Sequence, residues 1–242
     1  MGSAGAPDGG EVLSVEVRDR VATLTLNRPD KRNALSLELR ERIAHALDEA
    51  AEDDRVACTV LTGAGPAFCS GMDTSQFGGD LDNRRALVET TERLFGALIE
   101  HPKPVVAAVS GPALGGGFAL ALLSDVRIAD RSASFGFPEL RRGIPGSYGA
   151  ARAALSRPVA LDLCLSGRTI GAEEALRLGV VAELAERSTA LERAVVRAAE
   201  IAALPDSGPR MVKRWATEDR SWSRLLELEM DAFRRATLGP GP

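Results

Sequence analysis

The 242-residue chain is 45% hydrophobic and 26% charged, with a formal net charge of −4, the balance of a soluble globular protein. No dense Lys/Arg block occurs, which argues against nucleic acid as a partner. Three cysteines (Cys58, Cys69, Cys164) with no CxxC pair, and two isolated histidines (His45, His101), argue against a disulfide framework or a metal site and fit a reducing cytoplasm. A chain this long buries roughly 70% of its unfolded surface, enough for a sizeable core.

MGSAGAPDGG, residues 1–10, has neither the basic start nor the apolar run of a signal peptide and is expected to be a disordered lead. EVLSVEVRD (11–19) and RVATLTLN (20–27) alternate apolar and polar residues. They predict two antiparallel strands with a tight turn at Asp19-Arg20. The turn-rich LNRPDKRNAL (26–35) leads to Ser36, which caps a helix with Leu39, Ile43, Ala46, Leu47 and Ala50 on one face. RVACTVLTG (55–63) reads as a buried parallel strand. AGPAFCSGMDTSQFGGD (64–80) is a loop, and a helix follows over 83–100 until His101-Pro102-Lys103-Pro104 ends it.

PVVAAVSG (104–111) predicts a second buried strand, 115–124 a helix, and DVRIAD (125–130) a third strand. SASFGFPELRRGIPG (132–146) reads as irregular. Beyond Tyr148 the chain is mostly helical, with a short strand over 180–184 and amphipathic helices over 187–204, 209–219 and 222–235. Strand and helix alternate between 55 and 130, which argues for right-handed βαβ crossovers. The longest apolar run, Phe118 to Leu123, is too short to span a bilayer, so no membrane partner is expected.

The stretch GPALGGGFALALLSD (111–125) places three glycines where a buried helix begins. Glycine is costly there. No Lys follows as in a Walker loop, and the dinucleotide pattern GxGxxG is absent. Two readings remain open. The glycines let the helix pack tightly, or they bare the helix's first N–H groups, which lack internal partners and sit at the positive end of its dipole. The loop AFCSGMD (67–73) follows the preceding parallel strand, so both loops emerge at the carboxyl edge, where ligands bind. Two backbone donors could converge there on one oxygen.

LNRPDKRNAL, LTGAGPAFCSGMD, KPVVAAVSGPALGGGFALALLSDVRIAD, FGFPELRRGIPG and GAEEALRLGVV together resemble the crotonase superfamily, the enoyl-CoA hydratase/isomerase-like proteins, over roughly residues 11–230. The resemblance implies an α/β fold: a crotonase-like spiral of ββα units over 11–185, then a helical oligomerisation region over 186–242. It also implies an acyl-CoA thioester as substrate, coenzyme A arriving with it and no separate cofactor, and a homotrimer or dimer of trimers.

By that resemblance the thioester oxygen sits between the backbone N–H groups of Met72 and Gly116, which stabilise an enolate. Cys69, Ser70, Asp73, Thr74, Ser75 and Gly115 belong to the loops around the substrate, and Lys31 and Arg32 lie near the coenzyme A nucleotide. Hydratases of the family hold water between two glutamates. Glu139 matches the second, but Ala119 stands where the first would be. One carboxylate can take a proton from C2 and return it elsewhere, so the pattern favours isomerase-type transfer over hydration. A binding protein without chemistry, or a crotonase-fold hydrolase or decarboxylase, is the alternative.

Several residues carry milder expectations: Tyr148 packed or at the surface, Asp125 and Arg127 as a structural pair or cap near the helix end, His101 favoured by the helix dipole, and Phe118 and Phe137 in a pocket wall or the core. Family members often continue past the last helix with a basic segment that reaches coenzyme A; Arg234 and Arg235 are the candidates here.

Overall fold

Asp19 and Arg20 both hold left-handed backbone conformations, with φ of 48° and 66°. That pair of dihedrals makes a tight turn whose twist matches the strands beside it. It joins β1 (Leu13–Arg18) to β2 (Val21–Leu26), antiparallel with Leu13 opposite Leu26 and Arg18 opposite Val21, as the alternation predicts. The structure, a computed structural model, describes residues 11–218 and 222–239. The expected lead, residues 1–10, lies outside the described residues.

The further strands are β3 (Cys58–Gly63), β4 (Val105–Val109), β5 (Pro112–Leu114), β6 (Val126–Asp130), β7 (Ser134–Gly136), β8 (Thr169–Gly171) and β9 (Glu183–Ala185). The helices are α1 (Leu37–Glu52), α2 (Leu81–Glu100), α3 (Gly116–Leu123), α4 (Tyr148–Ala154), α5 (Arg157–Ser166), α6 (Ala172–Arg177), α7 (Ala190–Ala202), α8 (Ser207–Glu218) and α9 (Ser223–Leu238). The Ser36 hydroxyl accepts from the Leu39 N–H, which is the cap predicted for α1, and Asp80 caps α2 in the same way.

The main sheet runs β1-β2-β3-β4-β6-β9, parallel from β2 onward. Strand β4, VVAAV, explains why its sequence shows no polar alternation: both of its faces are covered. Val105, Ala107 and Val109 enter the large core with α1, α2 and α3. Val106 and Ala108 enter a second cluster with Ala194, Ala198 and Ala202 of α7. Those alanines recur every four residues, so a smooth stripe lets α7 lie close on the sheet. Helix α7 is therefore a layer of the core, which continues beyond residue 185.

A smaller sheet, β5-β7-β8, departs from the sequence reading, which took 132–146 as irregular. Its strands are PAL, SFG and TIG, three residues each and punctuated by Pro or Gly. Runs so short carry no periodicity to read. Strands β5 and β7 pair in parallel, Leu114 opposite Gly136, and this pairing positions the site described next.

Two further expectations are corrected in part. Of the pair or cap expected of Asp125 and Arg127, the cap is present and the pair is not: Arg127 donates to the carbonyls of Leu122 and Ser124 at the end of α3 and to that of Val180, while the Asp125 carboxylate receives the Lys213 ammonium at 2.7 Å and the Val105 N–H. His101 does end α2, but as a neutral ring. Burial, then Lys213 and Lys103, push its pKa down to about 4, so the helix dipole finds no charge there.

Candidate active site

Gly136 ends β7 and Leu114 ends β5, side by side, and the Gly115 N–H donates to the Gly136 carbonyl at 2.9 Å. The chain beyond β7 turns through a 3-10 helix, Pro138–Arg142, and this turn returns Glu139 over the glycine triplet. A Cβ on Gly115 would lie 3.1 Å from a Glu139 carboxylate oxygen, and Gly115 has a left-handed φ of 54°. The left-handed φ calls for glycine, and a side chain there would also crowd the Glu139 carboxylate.

The first loop is strapped alongside. The Cys69 N–H donates to the Pro112 carbonyl and the Leu114 N–H to the Cys69 carbonyl. A Cβ on Gly117 would come within 2.3 Å of that Cys69 carbonyl. Tight packing and bare donors, the two readings of the glycine run, thus apply to different glycines: Gly117 permits the close approach and Gly116 presents its N–H. A Cβ on Gly71 would lie 3.4 Å from the Gly116 nitrogen, and one on Gly116 would lie 3.3 Å from the Met72 sulfur.

Met72 forms a parallel bridge with Leu35. In that bridge the Leu35 N–H donates to the Gly71 carbonyl and the Asp73 N–H to the Leu35 carbonyl, so the N–H of Met72 faces away from Leu35. Neither the Met72 nor the Gly116 N–H donates to an acceptor among the described residues. Two bare donors on touching loops can polarise one carbonyl oxygen.

Glu139 is half-buried and makes no ion pair or hydrogen bond with another described side chain. Burial alone raises its pKa, to about 6, against a small opposing contribution from its own backbone N–H. Ala119, one turn into α3 from Gly115, is buried. Cys69 is fully buried, and burial pushes its thiol up to about 12, so it forms the wall behind the triplet and offers no nucleophile.

Lys31 and Arg32 are exposed and lie against the first loop: the Ser70 N–H donates to the Arg32 carbonyl at 2.9 Å and the Ser70 hydroxyl to the Lys31 carbonyl at 3.4 Å. Asp73 caps a short 3-10 helix, Thr74–Gln76, by accepting from the Ser75 N–H and hydroxyl, and Thr74 and Ser75 face solvent. Phe118 and Phe137 are core residues, each fully buried, with ring centroids 4.9 Å apart. Tyr148 is half-buried and packs against the core. Arg234 is committed to Glu92 of α2 and to Asp231.

Four residues of this region escaped the sequence reading. Arg28 pairs with Asp73 at 2.9 Å. Asn33, fully buried with φ of 55°, donates to the carbonyls of Ala64 and Ala67 and so ties the cationic loop to the approach of the first loop. Arg40 is fully buried between α1 and α2. Glu229 of α9 accepts from the Gly149 N–H at 2.6 Å and the Ser147 hydroxyl at 2.8 Å, fixing the far end of the loop that begins at Glu139. The only signal for Asn33 was its residue type, since Asn tolerates the left-handed region and turns back on backbone groups.

The sequence pattern described as "Enoyl-CoA hydratase/isomerase" matches residues 16–235. The Mycobacterium tuberculosis protein named probable enoyl-CoA hydratase echA8 is 36% identical over 206 residues, covering 84% of this chain and 80% of that protein. The Escherichia coli protein named 1,2-epoxyphenylacetyl-CoA isomerase is 34% identical over 237 residues, covering 93% and 90%. The crystal structure of an enoyl-CoA hydratase/isomerase from Mycobacterium paratuberculosis superimposes with a TM-score of 0.85 at 26% identity, covering 94% of this chain and 92% of that one. The chain belongs to the enoyl-CoA hydratase/isomerase family, the crotonase superfamily, whose fold it has and whose acyl-CoA chemistry makes it an enzyme.

Proposed function

We propose that the chain binds an acyl-CoA thioester with its carbonyl oxygen between the N–H groups of Met72 and Gly116, and that Glu139 moves a proton at the carbon next to that carbonyl. The observation that carries this reading is the contact of three elements: two bare donors on adjoining loops, and one half-buried carboxylate against Gly115. Polarising the thioester lowers the cost of removing the C2 proton, because the charge left behind moves to the oxygen between the donors. A carboxylate whose pKa is raised to about 6 is a stronger base than an exposed one and is still ionised near neutral pH.

Proton transfer of this kind needs one carboxylate and no cofactor beyond the coenzyme A of the substrate. Ala119 provides no second acid to hold water, so moving a carbon–carbon double bond is favoured over hydrating it. The likeness to a protein named as an isomerase is in keeping with this reading. The exposed cations Lys31 and Arg32 suit the coenzyme A phosphates, and Ser70, Thr74 and Ser75 suit its amide-bearing arm. Ala119 also supports a second reading, an acyl-CoA binder without turnover.

The test is product analysis by mass spectrometry after incubation with 2-enoyl- and 3-enoyl-CoA esters in D2O. Deuterium at C2 or C4 with a shifted double bond is expected. Gain of one water without isomerisation overturns the isomerase preference. Tight ester binding without either product supports the binder.

Outside this site, no helix among the described residues is long and apolar enough to cross a membrane. We propose a cytoplasmic homotrimer, or a dimer of trimers, with α8 at a subunit contact.

A further inference from the structure

The residue after Met72, Asp73, belongs to a set of charges that does not cancel locally. The Asp73 carboxylate, 8% exposed, meets the Arg28 guanidinium at 2.9 Å. It is also the acidic group that acts most strongly on Arg40, whose side chain is fully buried. The other acid acting on Arg40, Glu41, is exposed and screened by water. One guanidinium thus contacts the carboxylate, and a second, without touching it, lies in its field: the Arg40 Nε sits on the carbonyl of Ser36, the residue after Leu35, which bridges to Met72.

Hydrogen bonding at Arg40 is also incomplete. Its Nε donates to the Ser36 carbonyl at 3.2 Å, and its Nη1 to the Leu87 carbonyl at 3.0 Å and the Thr91 hydroxyl at 2.7 Å. Its Nη2 is buried and donates to no described residue. A guanidinium buried without its full set of partners is costly, and an aliphatic side chain would satisfy the same helix contact more cheaply. Burial lowers the Arg40 pKa to about 10, so the group is still charged at neutral pH.

Resting on the proposed role of the Met72 and Gly116 donors, we propose that Arg40 is a positioning residue that sets an excess positive charge near Met72 and thereby favours negative charge on the thioester oxygen. The ion pair with Arg28 holds Asp73, the residue after Met72, in place. Arg40 supplies the charge that this pair leaves unbalanced. In a poorly solvated site such a charge acts through distance without touching the substrate. Its effect is larger on the enolate than on the neutral ester, so it belongs to the rate and hardly to ester binding.

The experiment compares wild type, Arg40→Met and Arg40→Lys with cinnamoyl-CoA as the probe. Its conjugated thioester absorbs at longer wavelength when the carbonyl is polarised. A red shift in wild type, a smaller one in Arg40→Met and near-complete recovery in Arg40→Lys is expected. Double-bond isomerisation should follow, with kcat down about tenfold in Arg40→Met, equivalent to about 1.4 kcal/mol, and KM changed less than about twofold. An unchanged shift and kcat in Arg40→Met overturns the inference. So does an Arg40→Lys protein that folds but loses the shift, which decides the matter even where the neutral variant does not fold. A merely structural Arg40 would lower the melting temperature of both variants and leave the absorbance where it was. Absence of any red shift in wild type overturns instead the Met72 and Gly116 reading on which this one rests.

Discussion

Gly115 and Glu139 occupy touching space: a Cβ on the glycine would meet both carboxylate oxygens, at 3.1 and 3.2 Å. The two residues are brought together by the parallel pairing of Leu114 with Gly136, one residue before the first and three before the second. Gly115→Ala should therefore act twice. The backbone, at φ 54° and ψ −123°, lies where side-chain-bearing residues are strained, at a cost of about 1–3 kcal/mol. The new methyl also pushes the carboxylate from its place. A fall in kcat beyond tenfold, with a lower denaturation midpoint, is expected. Wild-type kinetics would mean that Glu139 can shift without consequence.

Glu139→Gln removes the base and keeps the shape. Turnover should fall by about 10²–10⁴, with the dissociation constant of a non-reactive acyl-CoA little changed. In wild type, kcat/KM should decline below about pH 6, because the base is inactive once protonated and burial has moved its pKa to about 6. Stability has the opposite slope. A carboxyl group whose folded pKa is raised above 4.5 contributes fully below pH 4.5, and that contribution is lost as pH rises through 6. Glu139→Gln should thus gain, relative to wild type, on the order of 1 kcal/mol at pH 8 over pH 4.5, after allowance for solvent at the half-open carboxylate. Urea melts at the two pH values measure it, and equal differences at both would show that the group ionises freely.

How far the sequence led depends on the kind of signal. The hairpin turn, the Ser36 cap and the doubly covered β4 were legible because turn chemistry, capping and apolar runs are local. Gly115 and Glu139 were each assigned to the site only through resemblance, and their contact was not legible, since it depends on two three-residue strands with no pattern of their own. Arg40 was missed because an arginine beside Leu39 reads as solvent-facing. Only the packing of α2 over α1 encloses it, with Leu87 and Thr91 as partners. His101 was misjudged for a similar reason: burial first, and then Lys213 of α8, keep it neutral, and the local sequence shows neither.

Ala119→Glu tests whether one missing acid separates this chain from hydration. Ala119 is buried at 4% exposure, one turn into α3. A carboxyl group there costs stability, about 1–3 kcal/mol unless it finds water or a donor. The expected outcome is a lower melting temperature together with a higher ratio of hydrated to isomerised product from 2-enoyl-CoA. A folded variant with no hydration would show that water positioning needs more than the second carboxylate.

Helix α8 presents Met211, Val212 and Trp215 to solvent, Val212 at 61% and Trp215 at 60% exposure. Beside them a hollow of about 940 Å³ is lined by Leu122, Leu123, Ile201, Leu204 and Trp222. Apolar side chains grouped on one helix face are costly in water and are covered in stable assemblies. The helix cannot roll to hide them, because on its other face Lys213, 7% exposed, is held by Asp125 at 2.7 Å. In the proposed trimer a second copy of the chain would cover this face. Light scattering should give a mass near three or six times 25.5 kDa for wild type. Val212→Lys with Trp215→Lys should shift it toward the single-chain mass, with a melting temperature that now falls on dilution less than that of wild type. A single-chain mass for wild type, or an unchanged assembly in the double variant, would place the subunit contact away from α8.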